Sequence, residues 1–468
     1  MIFENETIAA VATAASEAGV GIIRISGEKA FEVASAVFES PKGKVRVEDY
    51  PAGTIHYGYI KDGDEKIDEV LLSVMKAPHS YTTENVAEIN THGGMYVMSR
   101  VLQLVYRAGA RPALPGEFTK RAFLGGRIDL SKAEAVMDLI SSSDEFSRKT
   151  AMEQLSGSVS DKVRNFREKI LYELAFIESA LDDPENYSLE NYPEKLETVC
   201  RELIREMEIL LCNSEKGRIL KNGIRTVIIG KPNVGKSSLL NELTGEDRAI
   251  VTDIAGTTRD TLEENIRLGN ISLHLTDTAG IHETKDKVEK IGIEKARKAM
   301  ERSQLILLML SSAEEPDRED IDLIHETNQL LSDNRHCIVL LNKSDLEIKI
   351  KPDDIRKLFT KEVPSIIFCS MQTGKGKELL ENEIERLYHQ GELMEMNEVF
   401  LTSLRHMEAV REAKNALGMV LQSIHNGFSE DFFSIDLMNA YEYLGKITGE
   451  SIEDDLAEEI FSKFCLGK

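Results

Sequence analysis

The sequence predicts a multidomain α/β and α+β chain: an N-terminal α+β domain, a central and C-terminal all-α domain, and an α/β domain inserted between the two halves of the helical one. Three observations predict it. β-Branched runs broken by Gly and Pro fill the first 120 residues, apolar residues at three- and four-residue steps follow, and from Ile224 the period changes to short apolar strands separated by helical segments. At 468 residues the chain is also too long for one ordinary core.

In order along the chain, Gly21-Ile22-Ile23-Arg24-Ile25 has the β-branched character of a strand. Val159, Val163, Phe166, Ile170, Leu174, Ile177 and Leu181 share one helix face, and Pro184 ends that pattern. An acidic linker is expected from Asp182 to Glu197, after which Leu203, Met207 and Leu210 resume helical spacing. Strands expected at Thr226 to Ile229, Ile271 to Leu275, Leu305 to Leu310, Ile338 to Leu341 and Ile366 to Phe368 alternate with helices. That alternation is the pattern of a mostly parallel sheet with crossover helices. After Gly376 helical spacing returns, with Leu404, Met407, Val410, Leu417 and Leu421 on one face. The expected boundaries are 1–120, 121–216, 217–384 and 385–468, with no internal repeat or low-complexity tract.

Composition narrows the class. An apolar share of 41% supports globular folding, no run of eighteen apolar residues appears, and Met1 to Glu6 lack the basic-then-apolar pattern of a secretory signal. The expectation is a cytoplasmic protein without a membrane span. Five scattered cysteines (Cys200, Cys212, Cys337, Cys369, Cys465), an odd total without CxxC spacing, suggest neither a disulfide framework nor a zinc site, and four of them are expected to pack as small apolar residues. The net charge of −24 argues against indiscriminate binding to polyanions, so any nucleic-acid role needs a local basic patch or a partner.

The expected strand Thr226 to Ile229 runs straight into Gly230-Lys231-Pro232-Asn233-Val234-Gly235-Lys236-Ser237, which fits G-x-x-x-x-G-K-[ST] in strand–loop–helix context. In such a loop backbone N–H groups close around a β-phosphate, Lys236 brings a point charge to the β/γ oxygens, and the Ser237 hydroxyl can ligate Mg²⁺. Asp277-Thr278-Ala279-Gly280 follows the second expected strand, where a carboxylate can hold the magnesium shell and a glycine N–H can meet a γ-phosphate. Asn342-Lys343-Ser344-Asp345 follows the fourth. Its Asp can accept two hydrogen bonds from guanine N1 and N2, a donor pair adenine lacks. Cys369-Ser370-Met371-Gln372 stands where GTPases usually carry Ser-Ala-Lys, and its backbone is expected to meet guanine O6. Together these motifs imply a Ras-like P-loop GTPase domain.

Ile281 follows the Asp277 motif, where small GTPases often place a glutamine, and an isoleucine cannot orient water. The water-orienting group and the charge usually supplied by an arginine finger must come from elsewhere. Arg259 and the downstream Glu283, Asp286 and Glu289 are candidates, and each also reads as a solvated surface charge.

Four further segments carry a resemblance: Gly21 to Gly27, Val86 to Gly94, Pro115 to Phe123 continuing through Asp129 to Ala135, and the terminal Phe464-Cys465-Leu466-Gly467-Lys468. With the G motifs, they make the chain resemble the MnmE (TrmE) family of tRNA-modification GTPases over essentially its whole length. Departures are small: Thr82-Thr83-Glu84-Asn85 replaces Thr-Gly-Glu-Asp, and Arg127 stands where a lysine often appears. The resemblance implies a homodimer through an N-terminal tetrahydrofolate-binding domain, a helical domain, and an inserted GTPase domain. It also implies a partner, the FAD protein MnmG, with which an aminomethyl or carboxymethylaminomethyl group is added at C5 of the tRNA wobble uridine. An acidic chain can then serve tRNA because MnmG presents most of the RNA surface.

The same resemblance implies that 5-formyltetrahydrofolate or a related tetrahydrofolate contacts Arg24, Glu88, Arg127 and Lys468. Taken singly, Arg24 and Glu88 also read as a structural ion pair, and His92 as a turn residue beside Gly93-Gly94. GTP contacts are implied at Asn233, Val234, Gly235, Lys236, Ser237, Ser238, Thr252, Asp253, Ile254, Ala255, Gly256, Thr257, Thr258, Asp277, Thr278, Ala279, Gly280, Asn342, Lys343, Asp345, Ser370 and Met371. Magnesium falls to Ser237 and Thr258. Potassium replaces the arginine finger, on Asn233, Thr252, Ile254 and Thr257. Glu289, in the second switch, replaces the glutamine, Arg259 stays a catalytic candidate, and Cys465 is the one cysteine expected to act chemically. A ribosome-assembly GTPase would need a basic RNA-binding module that neither terminus supplies, whereas a folate-dependent one-carbon enzyme with a regulatory G domain would keep the N-terminal site and drop tRNA.

Overall fold

The computed structural model describes residues 6–14, 16–142, 144–183, 185–221, 223–246, 263–268, 271–276, 297–332, 335–361, 363–388, 399–450, 460–462, 464 and 467. The chain forms two compact units, Met1–Ile140 with Met152–Met207 and Glu408–Lys468, and Ser141–Ala151 with Glu208–Met407.

The first unit holds an eight-stranded sheet built from β1 (Ile8–Val11), β2 (Ala18–Ser26), β3 (Phe38–Ser40), β4 (Gly43–Lys44), β5 (Thr54–Asp62), β6 (Glu65–Met75), β7 (Val86–Gly93) and β8 (Arg111–Pro112). Their order is β4-β3-β5-β6-β7-β2-β1-β8, antiparallel throughout except for β1 beside β8. Because side chains alternate between faces, Ile23 and Ile25 of β2, Val70, Leu72 and Val74 of β6, and Ala87 and Ile89 of β7 line one face. There they pack against α1 (Ala30–Val37) and α2 (Met95–Arg107). Full burial of such a side chain contributes about 1.5 to 3 kcal/mol, so this layer is the main stabilising core of the N-terminal part. Ile55, Tyr57 and Leu71 are exposed.

Helices α3 (Glu117–Leu124), α4 (Leu130–Ser141), α5 (Glu145–Ser156), α6 (Ser158–Asp182) and α7 (Tyr192–Lys221) follow. On α6 the expected face is buried from Val159 through Ile177, but Leu181 is exposed, because the helix ends one residue later and its last turn projects past the packed stripe. The acidic linker is also shorter than expected. Tyr192 opens α7, its ring stacked on Phe176 and its hydroxyl bonded to the buried Glu173 carboxylate at 2.8 Å, which draws the chain into helix before Glu197.

The second unit holds a six-stranded sheet in the order β10-β11-β9-β12-β13-β14. Its strands are β9 (Ile224–Ile229), β10 (Glu263–Leu268), β11 (Ile271–Thr276), β12 (Leu305–Ser311), β13 (His336–Asn342) and β14 (Ser365–Phe368). All pairs are parallel except β10 with β11. β12 is buried along its whole length, with Leu305, Leu307 and Met309 in one apolar cluster and Ile306, Leu308 and Leu310 in the other, as a parallel strand covered on both faces requires. Among the described residues, the helices of this part include α8 (Lys236–Glu246), α9 (Arg318–Leu330), α10 (Pro352–Arg356) and α11 (Lys377–Leu387).

The chain continues through α12 (Leu404–His425) to α13 (Glu430–Thr448), which packs along α6. On α12 the buried stripe is Met407, Val410, Ala413, Leu417 and Val420. Leu404 is exposed and Leu421 only half-buried, because the stripe starts one turn later than expected and drifts by one residue. The expected fold class therefore holds, with mixed, helical and α/β parts in the anticipated order. Of the cysteines, Cys200, Cys337 and Cys369 are buried as expected, whereas Cys212 is exposed on α7, on the face away from Leu210 and Leu211. Among the described residues, no helix is long and apolar enough to cross a membrane.

Candidate functional site

The phosphate-binding motif forms the loop between β9 and α8, at the carboxyl edge of the parallel sheet where doubly wound folds place ligands. Two glycines set its shape. Gly230 has φ +149°, and a Cβ there would lie 2.4 Å from the Met309 carbonyl oxygen of β12; Gly235 has φ +111°, and its Cβ would lie 2.2 Å from Asn342 Nδ2. The loop is thus pressed against the ends of the two neighbouring strands, and no side chain fits at either point. Asn233, at φ +63°, takes the left-handed conformation that Asn tolerates better than most residues.

Lys236 curls back over the loop and donates to the carbonyl oxygens of Gly230 (2.6 Å) and Lys231 (2.7 Å). Burial lowers its pKa from the ordinary lysine value, and an anion on the loop would reverse that by favouring the charged form. Ser237 and Ser238 stand exposed in the first turn of α8, where backbone N–H groups have no partner within the helix and the helix dipole is positive.

The base-reading elements meet this loop through one side chain. Asn342, at the end of β13 and 4% exposed, donates from Nδ2 to the Val234 carbonyl (2.8 Å) and accepts at Oδ1 from the Met371 N–H (3.1 Å). Sequence reasoning placed Asn342 at the nucleotide but missed this bracing role, since Val234 and Met371 lie far from it in the chain. The Met371 N–H, expected at guanine O6, is engaged by Asn342. Ser370 Oγ donates to Asp345 Oδ1 at 2.6 Å, which orients the carboxylate and leaves acceptor sites for two guanine donors. Lys343 takes φ +63°, and the Ser344 N–H is tied to the Cys369 carbonyl at 3.1 Å. Burial pushes the Cys369 thiol up to about 12, so it is no nucleophile at neutral pH.

Thr252, Asp253, Ile254, Ala255, Gly256, Thr257, Thr258, Arg259, Asp277, Thr278, Ala279, Gly280, Ile281 and Glu289 lie outside the described residues, as do Cys465 and Lys468. Among the described residues, no group of three or more His, Cys, Asp or Glu side chains gathers as a metal site.

A second constellation occupies the first unit. Arg24 on β2 and Glu88 on β7 are cross-strand partners, joined Nε to Oε1 at 2.7 Å. The Arg24 guanidinium carbon sits 5.4 Å from the Tyr81 ring and 5.5 Å from Phe118, while that of Arg127 sits 4.9 Å from Tyr81, whose carbonyl Arg127 also bonds at 3.2 Å. Three of the four residues expected at a folate are therefore brought together around Tyr81, an aromatic that sequence reasoning missed. Arg24 also donates to the carbonyl of Gly467 (3.2 Å), which places Gly467 beside this pair.

Behind it lies a buried ionic lattice. Burial alone would raise the Glu117 carboxyl, but hydrogen bonds from Arg111, the Leu114 N–H and Arg121 outweigh it and hold the carboxyl below its usual range. His92 departs from the turn expectation. It lies in β7, and its backbone N–H and Nδ1 both engage the Asp68 carboxylate, which raises the imidazole pKa.

The Asp345 geometry generates a prediction about base choice. Asp345→Asn replaces one acceptor oxygen by a donor facing guanine, and GTP affinity should fall by about 2 kcal/mol or more while xanthosine triphosphate binds better. Competition binding with both nucleotides reads the effect, and unchanged GTP affinity would remove Asp345 from base recognition.

The family described as "MnmE helical domain" matches residues 130–465, and that described as "GTP-binding protein TrmE N-terminus" matches residues 7–127. Among curated relatives, the tRNA modification GTPase MnmE of Lachnoclostridium phytofermentans is 48% identical over 465 residues, covering 99% of this chain and all of the relative. The protein of that name from Ligilactobacillus salivarius is 44% identical over 468 residues, covering 99% of this chain and 98% of the relative. Among solved structures, the G domain of the T. maritima FeoB iron transporter matches 35% of this chain and 98% of that chain at 25% identity, with a TM-score of 0.27. The full-length identity to curated relatives, joined to two family matches that together span nearly the whole sequence, shows that the chain belongs to the MnmE family of tRNA-modification GTPases.

Proposed function

We propose that this chain binds and hydrolyses GTP on the loop Gly230 to Ser237 and couples that cycle to modification of the tRNA wobble uridine. The observation that carries the reading is Asn342, which braces the phosphate loop against the Met371 loop, where Ser370 holds the Asp345 carboxylate. In this reading residues 1–120 form the tetrahydrofolate-binding and dimerisation domain, 121–216 and 385–468 the two halves of the helical domain, and 217–384 the GTPase domain. The protein works in the cytoplasm as a homodimer with the FAD protein MnmG, which carries most of the tRNA surface and so relieves the repulsion of a −24 chain.

At the phosphates, Lys236 brings positive charge to the β/γ oxygens, and the loop N–H groups hold the β-phosphate. Ser237, exposed in the first turn of α8, suits Mg²⁺ with Thr258, and Asn233, exposed in its left-handed bend, suits K⁺ with oxygens of Thr252, Ile254 and Thr257. These hard cations supply charge against the build-up between the β- and γ-phosphates. Glu289 orients the attacking water, and Arg259, next to Thr258 in the chain, is a further catalytic candidate. In the first unit, Arg24 and Arg127 suit the anionic tail of a formyl-type tetrahydrofolate and Glu88 the donors of its pterin, with Lys468 completing the set.

The cation reading predicts hydrolysis much faster in potassium than in sodium at equal ionic strength, the latter held fixed because screening alone alters association. Asn233→Ala should flatten that difference. Glu289→Ala should slow turnover in potassium by at least about tenfold with GTP affinity nearly unchanged, since it acts on the water. Equal rates in the two salts would reject potassium, and full turnover in the Glu289 variant would reject its role.

The folate reading predicts saturable heat on titration with 5-formyltetrahydrofolate, and Arg24→Met should weaken binding by about tenfold as one charge-assisted contact is lost. A folded protein giving no heat at high micromolar ligand would sink this site.

Cys465→Ser should leave GTP turnover near normal while tRNA from a strain carrying it lacks the wobble modification. Nucleoside analysis decides this, and a deletion strain with unmodified wobble uridine is the reference; normal modification in the Ser strain would remove Cys465 from the chemistry.

A further inference from the structure

The phosphate loop has an anchor outside its own motif. Lys231 Nζ lies 2.7 Å from Asp317 Oδ2 and 2.8 Å from Asp320 Oδ2, both at the start of α9. The lysine side chain is only 16% exposed and the Asp320 side chain 8%. The two aspartates are locked together: Asp317 Oδ1 accepts the Asp320 N–H and Asp320 Oδ2 accepts the Asp317 N–H, each at 3.2 Å, so they cap α9 reciprocally. One ammonium shared by two carboxylates fixed in a helix cap is a rigid contact, unlike a lone pair of mobile surface chains. The same residue's carbonyl oxygen accepts Lys236 Nζ at 2.7 Å.

We propose that Lys231, held by Asp317 and Asp320, is a positioning residue for Lys236, fixing the carbonyl seat from which the Lys236 ammonium meets the phosphates. The Lys231 side chain reaches the start of α9, where both carboxylates hold its ammonium, and carries no chemistry. Its removal frees the first bend of the loop, and the carbonyls of Gly230 and Lys231 no longer hold the ammonium in one place. A misplacement of this kind costs rate out of proportion to stability, because the charge must meet the transition state in one geometry. Asp320, nearly buried, would in addition lose its cation, which makes the contact one-sided to break.

The proposal rests on the reading of the loop as a GTP site, and the experiment separates the two. In the full-length chain, Lys231→Met should lower kcat/KM for GTP hydrolysis at least tenfold, Asp317→Asn should give a smaller loss, and Lys231→Arg should restore most of the rate because its guanidinium can reach both carboxylates. Melting without nucleotide checks that each variant is folded. Binding of a fluorescent GTP analogue supplies the decisive arm: in a Lys236→Met background, Lys231→Met should cause no further loss, since it acts through Lys236. A further loss as large as in the wild-type background, or a Lys231→Met protein with wild-type turnover, would overturn the proposal. A wild-type chain that neither binds nor hydrolyses GTP would instead overturn the reading of the loop.

Discussion

The second unit depends on the carboxamide of Asn342. It is buried at the end of a central strand, and its two ends face opposite ways: the amino group to the phosphate loop, the oxygen to the loop after β14. A buried amide must find partners for both ends, and each bond left unmade would cost about 1 to 3 kcal/mol. The strand order brings those partners within reach, because β9, β12, β13 and β14 run parallel and all deliver their carboxyl ends to one edge. The absence of a side chain at Gly235 is the other half of the same contact, since a Cβ would occupy the space of the Asn342 amide nitrogen. Phosphate binding and base recognition are therefore built on one bracket.

The first unit reaches a comparable result by different means. There Arg24 and Glu88 sit on neighbouring antiparallel strands, and aromatic rings flank the guanidinium groups of Arg24 and Arg127. The charges behind them, Arg111 and Arg121, are both paired with Glu117, so the residues of the Pro115 to Phe123 motif carry a structural lattice as well as Phe118, which faces Arg24. Motif residues in this segment thus divide between support and contact.

Much of this was legible in the sequence. The continuous apolar runs of β12 and its neighbours and the 3.6-period stripe of α6 follow from burial alone, and the phosphate loop follows from glycines that only one backbone path can use. Misjudged elements share a cause. Leu181 and Leu404 are apolar residues at the correct spacing but at helix ends, where no neighbouring element covers them. The start of α7 at Tyr192 depends on Phe176 and Glu173 of the preceding helix, a contact no local window contains. In the same way Tyr81 and Asp317 join their sites only through tertiary placement. Residue type announced the chemistry of Arg24, Lys236 and Asp345, but the parts that orient them are ordinary residues brought in by topology.

The cross-strand pairing of Arg24 with Glu88 has a meaning beyond ligand chemistry. Ile23 and Ile25 on either side of Arg24 are fully buried beneath the helices, so a slip of β2 by one residue against β7 would exchange the faces. The guanidinium would then enter the apolar layer, and two isoleucines would take its place beside the Glu88 carboxylate and lose their apolar partners. The charged pair acts as a register mark for the sheet: only the aligned form joins the Arg24 guanidinium to the Glu88 carboxylate across the two strands.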